Sequence, residues 1–152
     1  MTAQAYLLDT NVVLFLLRGK QVGETIDSTF GFTTGRSTGI VSVVTIGELR
    51  AIAALSGWGE KRQSTLRHLL FQIVRLPINR EDILDAYAQV EFNTKKELSP
   101  SETMAKNDLW IAATALAAQL PILTSDGDFS SVRGMGIDVT VLDAKSGKPR
   151  HL

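Results

Sequence analysis

The stretch Ala5-Tyr6-Leu7-Leu8-Asp9-Thr10-Asn11 decides the fold. An apolar run breaks off at an acid, a hydroxyl and an amide, and Val12 to Leu17 then continue apolar as far as Gly19. A short apolar run bounded by turn-forming residues reads as a buried strand, and the run beyond the break reads as a short helix stopped by glycine. The same order recurs along the chain. Ile40-Val41-Ser42-Val43-Val44 is rich in β-branched residues and follows Gly39, which predicts a strand leading into a helix over Ile46–Leu55 closed by Gly57. Ile122-Leu123-Thr124 follows Pro121 and ends in Ser125-Asp126-Gly127-Asp128, and Val139–Leu142 predicts a last strand. Between them lie helical patterns. Leu66, Leu69, Leu70 and Ile73 form one apolar stripe; Asn79 caps a helix through Ile83, Leu84, Tyr87 and Val90; Asp108–Leu120 is so apolar that it must be buried on most sides. Leu98–Asn107, with Pro100, reads as a loop. Alternation of strand and helix predicts an α/β domain with a mainly parallel central sheet and right-handed crossovers.

The 152 residues suit a single domain, 1–152, in which 144–152 read as a polar tail. Hydrophobic residues at 44% and charged residues at 21% exclude a disordered chain or a coiled coil. There is no cysteine and there are only two histidines, His68 and His151, which removes thiolate and histidine-rich zinc sites but leaves hard cations on oxygen ligands open. Lack of cysteine and of a membrane-length apolar run lead us to expect a cytoplasmic protein. Sixteen Lys and Arg balance sixteen Asp and Glu, so bulk charge gives no pull toward nucleic acid. Any such affinity must be local. Acids gathered in one place would leave a basic remainder, and Arg18, Lys20, Arg36, Arg62, Arg67, Lys95, Lys96, Lys106 and Arg133 are candidates for a phosphate-contacting rim. His68, Trp58 and Trp110 read as structural residues.

Four acids stand out. In open α/β sheets the ligand crevice lies beyond the carboxyl ends of the strands, and Asp9 and Asp126 each directly follow a predicted strand. Glu48 and Asp108 fall near helix starts, where they can face the same edge or simply complement the helix dipole. Two carboxylates about 4 Å apart repel by roughly 1 to 4 kcal/mol. A divalent cation reverses that sign, so converging acids favour a metal site, and Mg²⁺ suits oxygen ligands and commonly bridges to phosphate. Asp128 reads first as a turn residue. Thr10, Asn11, Thr124 and Ser125 could orient ligands or water, or serve as turn and cap residues.

Leu7-Leu8-Asp9-Thr10-Asn11, Ser42-Val-Val-Thr-Ile-Gly-Glu48-Leu49, Asn107-Asp108-Leu-Trp-Ile-Ala-Ala113 and Leu123-Thr124-Ser125-Asp126-Gly127-Asp128-Phe129, in that order, resemble the PIN-domain ribonucleases, and within them the VapC-type toxins. The resemblance implies a three-layer α/β/α fold and Mg²⁺ or Mn²⁺ at Asp9, Asp108 and Asp126, with Glu48 completing the catalytic set and Asp128 as an additional or water-mediated ligand. It implies endonucleolytic RNA cleavage leaving a 3′-hydroxyl and a 5′-phosphate, homodimers, and inhibition by a cognate antitoxin that occupies the acidic pocket. Residues 31–39 are less family-like.

Other readings fare worse. A haloacid-dehalogenase-type phosphatase needs a second Asp two residues after the first, where this chain has Asn11. A calcium loop beginning at Asp126 would place Ser131 where Gly belongs and Ile137 where Glu belongs. A non-catalytic module that binds RNA or protein on a nuclease-like fold is the remaining alternative, against which the intact acid set argues.

Overall fold

The computed structural model describes residues 4–97 and 104–150. The elements are β1 (Gln4–Leu8), α1 (Thr10–Arg18), α2 (Gln21–Phe30), β2 (Ser37–Ser42), α3 (Val43–Leu55), α4 (Glu60–Phe71), β3 (Val74–Leu76), α5 (Glu81–Glu97), α6 (Lys106–Ala118), β4 (Ile122–Thr124), a 3-10 segment (Gly127–Met135) and β5 (Val139–Val141). All strand pairs are parallel, in the order β3-β2-β1-β4-β5.

Side chains on a strand alternate between faces, and the chain uses this to build two cores. Leu7 and Ile122 pack with Val90, Ile111, Ala112, Phe129 and Val141 on the face covered by α5, α6 and the 3-10 segment. Their neighbours Leu8 and Leu123 pack with Val12, Val13, Ile26, Leu49 and Leu70 on the face covered by α1 to α4. The result is three layers, α/β/α, and it explains why β1 and β4 are apolar at consecutive positions instead of alternating. The chain enters at β1, moves outward through β2 to β3, and returns to the other side of β1 for β4 and β5. The direction therefore reverses between β1 and β4, and a crevice opens at the carboxyl ends of these strands.

Several boundaries differ from the sequence reading, each for a local reason. β2 ends two residues early because the Ser42 hydroxyl accepts a hydrogen bond from the Val44 amide at 3.1 Å and caps α3. β3 has no counterpart in the sequence reading, whose helical stripe ends at Ile73; it is a three-residue edge strand paired to β2, and α4 stops at Phe71. Helix α2 carries only Val22, Ile26 and Phe30 as apolar positions, a stripe too thin to announce a helix. In residues 31–39 a turn at Gly31–Arg36 precedes β2. Helix α5 begins at Glu81, two residues past Asn79, and Arg80 forks onto Asp82 in its first turn at 3.1 and 2.6 Å. Helix α6 starts at Lys106, and the expected loop 98–107 lies mostly outside the described residues. Residues 144–150, read as a tail, turn back through Asp143, which accepts amide hydrogen bonds from Lys145 and Ser146, and Pro149 bridges to Leu142.

Helices α1 and α2 cross closely at Gly23, where a Cβ would stand 2.2 Å from the Phe15 carbonyl oxygen. Inside an ordinary helix, Gly to Ala stabilises by about 0.5 to 1 kcal/mol. Here the sign reverses: Gly23→Ala is expected to destabilise by about 1 to 3 kcal/mol through overpacking. Urea unfolding that shows the variant as stable as its parent would refute the close crossing.

Candidate functional site

The crevice between β1 and β4 is where the predicted acids meet. Asp9 follows β1 as the N-cap of α1, and its Oδ1 accepts the Thr10 amide at 2.7 Å. Its Oδ2 accepts the Thr124 hydroxyl at 2.8 Å, a bond that ties the end of β1 to the end of β4. The Thr124 oxygen also accepts the Asp126 amide at 2.9 Å, and Asp126 Oδ1 accepts the Asp128 amide at 2.9 Å. On the other side, the Thr10 hydroxyl donates to Glu48 Oε1 at 3.0 Å, drawing the first turn of α1 to the second turn of α3. Asp108 sits in the first turn of α6, half-buried and on the opposite side of the sheet from α1 and α3.

Electrostatics shows how far these groups share one field. Burial is the main cause of the raised pKa of Asp9; the hydrogen bonds from Thr124 and Thr10 oppose it, and the charges of Glu48 and Asp126 add to it. Asp108 is pushed up from 3.8 to about 7, first by burial and then by the charges of Asp9, Asp126, Glu48 and Asp128. The charges that weigh most on these two groups are all negative. The edge therefore holds uncompensated negative charge at neutral pH. Among the described residues, no three acidic or histidine side chains stand close enough together to hold a metal ion as a group. The acids share an edge and a field, with room between them.

Oxygen donors with unneutralised charge fit a hard divalent cation. Mg²⁺ keeps several of its waters and needs only one or two direct carboxylates, so an open arrangement suits it better than a closed cage would.

The Thr10 and Thr124 hydroxyls tie Asp9, Glu48 and Asp126 into one hydrogen-bonded chain, whereas Asp108, in the first turn of α6, shares only their electrostatic field. Asp128 takes the turn position read from the sequence and adds the smallest of the charges on Asp108. Asn11 is exposed and Ser125 half-buried, and neither side chain is hydrogen-bonded to an acid among the described residues. His68 is exposed on α4. Trp110 stacks on Tyr87 with ring centroids 3.9 Å apart. Sequence reasoning passed over Ser42, the buried cap of α3, and Thr45, whose hydroxyl is fully buried without a protein partner one turn before Glu48. Both lie inside the Ser42–Leu49 motif, and their signal was the polar residue in an apolar run.

Comparison with known proteins gives the family and the fold. The chain matches the PIN domain family over residues 6–135. It is similar to ribonuclease VapC5 of Mycobacterium tuberculosis, with 30% identity over 136 residues, 88% of this chain and 91% of the relative. Its fold is similar to that in the crystal structure of VapBC2 from Rickettsia felis bound to a DNA fragment from its promoter, with a TM-score of 0.77 and 18% identity over 92% of this chain and all of that one. It also resembles VapBC-5, from the VapBC family of toxin-antitoxin systems of Mycobacterium tuberculosis, with a TM-score of 0.63 and 23% identity over 91% of this chain and 98% of that one.

The charge on Asp108 has a consequence for stability. With a folded-state value of about 7 against 3.8 in the open chain, the folded state binds this proton more tightly. Its stabilising contribution is complete below about pH 4 and is lost as the pH rises through about 7. In chelator at pH 8, Asp108→Asn is therefore expected to be more stable than its parent by about 1 kcal/mol, a figure reduced for solvent screening of this half-exposed group. The difference vanishes at pH 4. Thermal unfolding at both pH values checks this, and a variant less stable than its parent at pH 8 would contradict the shared field.

Proposed function

The chain belongs to the PIN-domain family, and from that premise we propose that it is a Mg²⁺- or Mn²⁺-dependent endoribonuclease, the toxin of a toxin-antitoxin pair. One observation carries the proposal: a buried carboxylate, Asp9, is fixed by two hydrogen bonds at the strand-reversal crevice, within one negative field with Glu48, Asp108 and Asp126. A protein that needed these acids only for folding would pair them with cations. Here none of the four is in an ion pair among the described residues.

Asp9, Asp108 and Asp126 would hold the metal, and Glu48 would complete the acidic set. Bound there, the cation supplies neutralisation of the phosphate and a water made acidic enough to attack at neutral pH. The chain's own residues supply the rest. Thr124 and Thr10 fix the two oxygens of Asp9 in different directions, so this carboxylate is preorganised before substrate arrives. Thr10 holds Glu48 toward the crevice, where its free oxygen is available to orient a water or accept its proton. Asp108, at the focus of the other charges, gains most from a cation and loses its raised affinity for a proton once one binds. Asp128 reinforces the same field from the turn.

The partners follow from the same charge. With a cation held there the acids would accept an RNA phosphate that they otherwise repel, and a cognate antitoxin would block the pocket with a basic segment that satisfies the carboxylates in place of the cation. The toxin-antitoxin relative supports this pairing. A homodimer is part of the proposal, and Phe71 and Val74, 87% and 50% exposed near the β3 edge, offer apolar surface to a second copy. We place this activity in the cytoplasm; among the described residues no helix is long and apolar enough to cross a membrane.

The test compares RNA cleavage in Mg²⁺ and in chelator, with 5′ ends mapped. Asp9→Asn and Asp108→Asn are expected to lower the rate on the order of 100-fold or more while remaining folded. Thr124→Val, which frees Asp9, is expected to lower it by about tenfold. Undiminished cleavage by the two Asn variants would sink the assignment.

A further inference from the structure

The structure sorts the nine cations that sequence offers for a phosphate-contacting rim. Arg36 donates to the Ser28 carbonyl and Arg133 to that of Val139. Arg67 pairs with Glu60 at 2.6 Å, and Lys95 and Lys106 both pair with Glu91, at 3.0 and 2.7 Å. Lys96 lies over the Phe92 ring. The other three, Arg18, Lys20 and Arg62, are set apart by position: all line one open recess of about 480 Å³ where the end of α1, the start of α2 and the start of α4 meet. Lys61, outside those nine, is the fourth cation there.

The recess is chemically one-sided. No acidic residue lines it, and among the described residues none of its four cations makes an ion pair. At its base the half-buried Trp58 carries the Arg62 guanidinium 5.0 Å from its ring centroid, and the Trp58 carbonyl accepts the Gln63 side chain at 2.8 Å. Arg62 is thereby held by a cation–π contact, with less side-chain freedom to lose on binding. In a chain of zero net charge, four unpaired cations in one concavity form a local positive field that a polyanion would relieve.

The position of the recess fits one polyanion. Helix α1 begins directly after Asp9 and ends at Arg18. At 1.5 Å per residue, its nine residues separate the acidic edge from the recess by roughly 13 to 14 Å. One phosphate cannot occupy both places, but one RNA molecule can. The acidic edge repels RNA wherever no cation intervenes, so affinity has to come from a second region.

We propose that this recess is an RNA exosite, in which Arg18, Lys20, Lys61 and Arg62 grip backbone phosphates flanking the bond presented to the acids. The inference rests on the ribonuclease reading for its ligand but on separate residues for its geometry.

The test is binding of a labelled stem-loop RNA, followed by fluorescence anisotropy in chelator across a salt series. It uses the parent, Arg18→Gln/Lys20→Gln, Lys61→Gln/Arg62→Gln and the four-site combination. Each pair is expected to weaken binding by about tenfold and to reduce the slope of log K against log salt by about 1.4, at about 0.7 per contact, with the two effects adding in the combination. Melting temperatures are expected to stay at the parent value, and because the pairs sit on different elements, either alone tests the site. Equal affinity and slope in the parent and the combination would overturn the exosite. So would unchanged RNA binding with lost capture of a poly-glutamate peptide, which would assign the recess to an acidic protein segment. Because this readout needs neither metal nor turnover, a parent that binds RNA through the recess but cleaves none would sink the nuclease reading and leave the exosite standing.

Discussion

The hydrogen bond from the Thr124 hydroxyl to Asp9 Oδ2 is the contact on which the arrangement turns. It joins residues 115 positions apart, at the ends of the two parallel strands between which the order of strand addition reverses. Its acceptor is an almost fully buried carboxylate, whose charge would be costly to bury without compensation. Its donor oxygen in turn accepts the Asp126 amide, so a single hydroxyl positions acids from both strands. The apolar cores make this possible. Leu7, Leu8, Ile122 and Leu123 send consecutive side chains to opposite faces and hold β1 and β4 in register directly beneath the crevice.

Much of the fold is legible in the sequence because strong local signals coincide with tertiary burial. β1 and β4 are runs buried on both faces and ended by an acid-containing turn, and the buried part of α6 is apolar all round. What escaped is what tertiary context decides. β3 exists because β2 offers it an edge, and its Val74-Arg75-Leu76 sequence carries little period of its own. α2 is stabilised by its crossing with α1 at Gly23, a residue that on propensity alone argues against a helix.

The candidate site divides in the same way. Asp9 and Asp126 follow from strand ends alone, and sequence logic places Asp108 at a helix start. Glu48 depends on motif in the sequence, and in the structure its orientation depends on the Thr10 hydroxyl. Thr10 and Thr124 read equally well as turn residues, because a hydroxyl's partner across the sheet leaves no trace in local sequence. The basic rim shows the opposite limit. Nine cations are indistinguishable in composition, and only their ion pairs and the recess they line separate the engaged ones from the free ones.

The chain thus concentrates negative charge at one end of α1 and positive charge at the other while remaining neutral as a whole. Such a dipolar division suits an enzyme that must repel bare phosphate from its acids until a cation is present, yet hold the polymer nearby. The central claim is that the acidic edge is a cation site. Anomalous scattering from crystals soaked in Mn²⁺ tests it most directly. The prediction is a peak in the crevice, coordinated by carboxylate oxygens of Asp9, Asp108 and Asp126; a well-ordered crevice without Mn²⁺ at saturating concentration would contradict it.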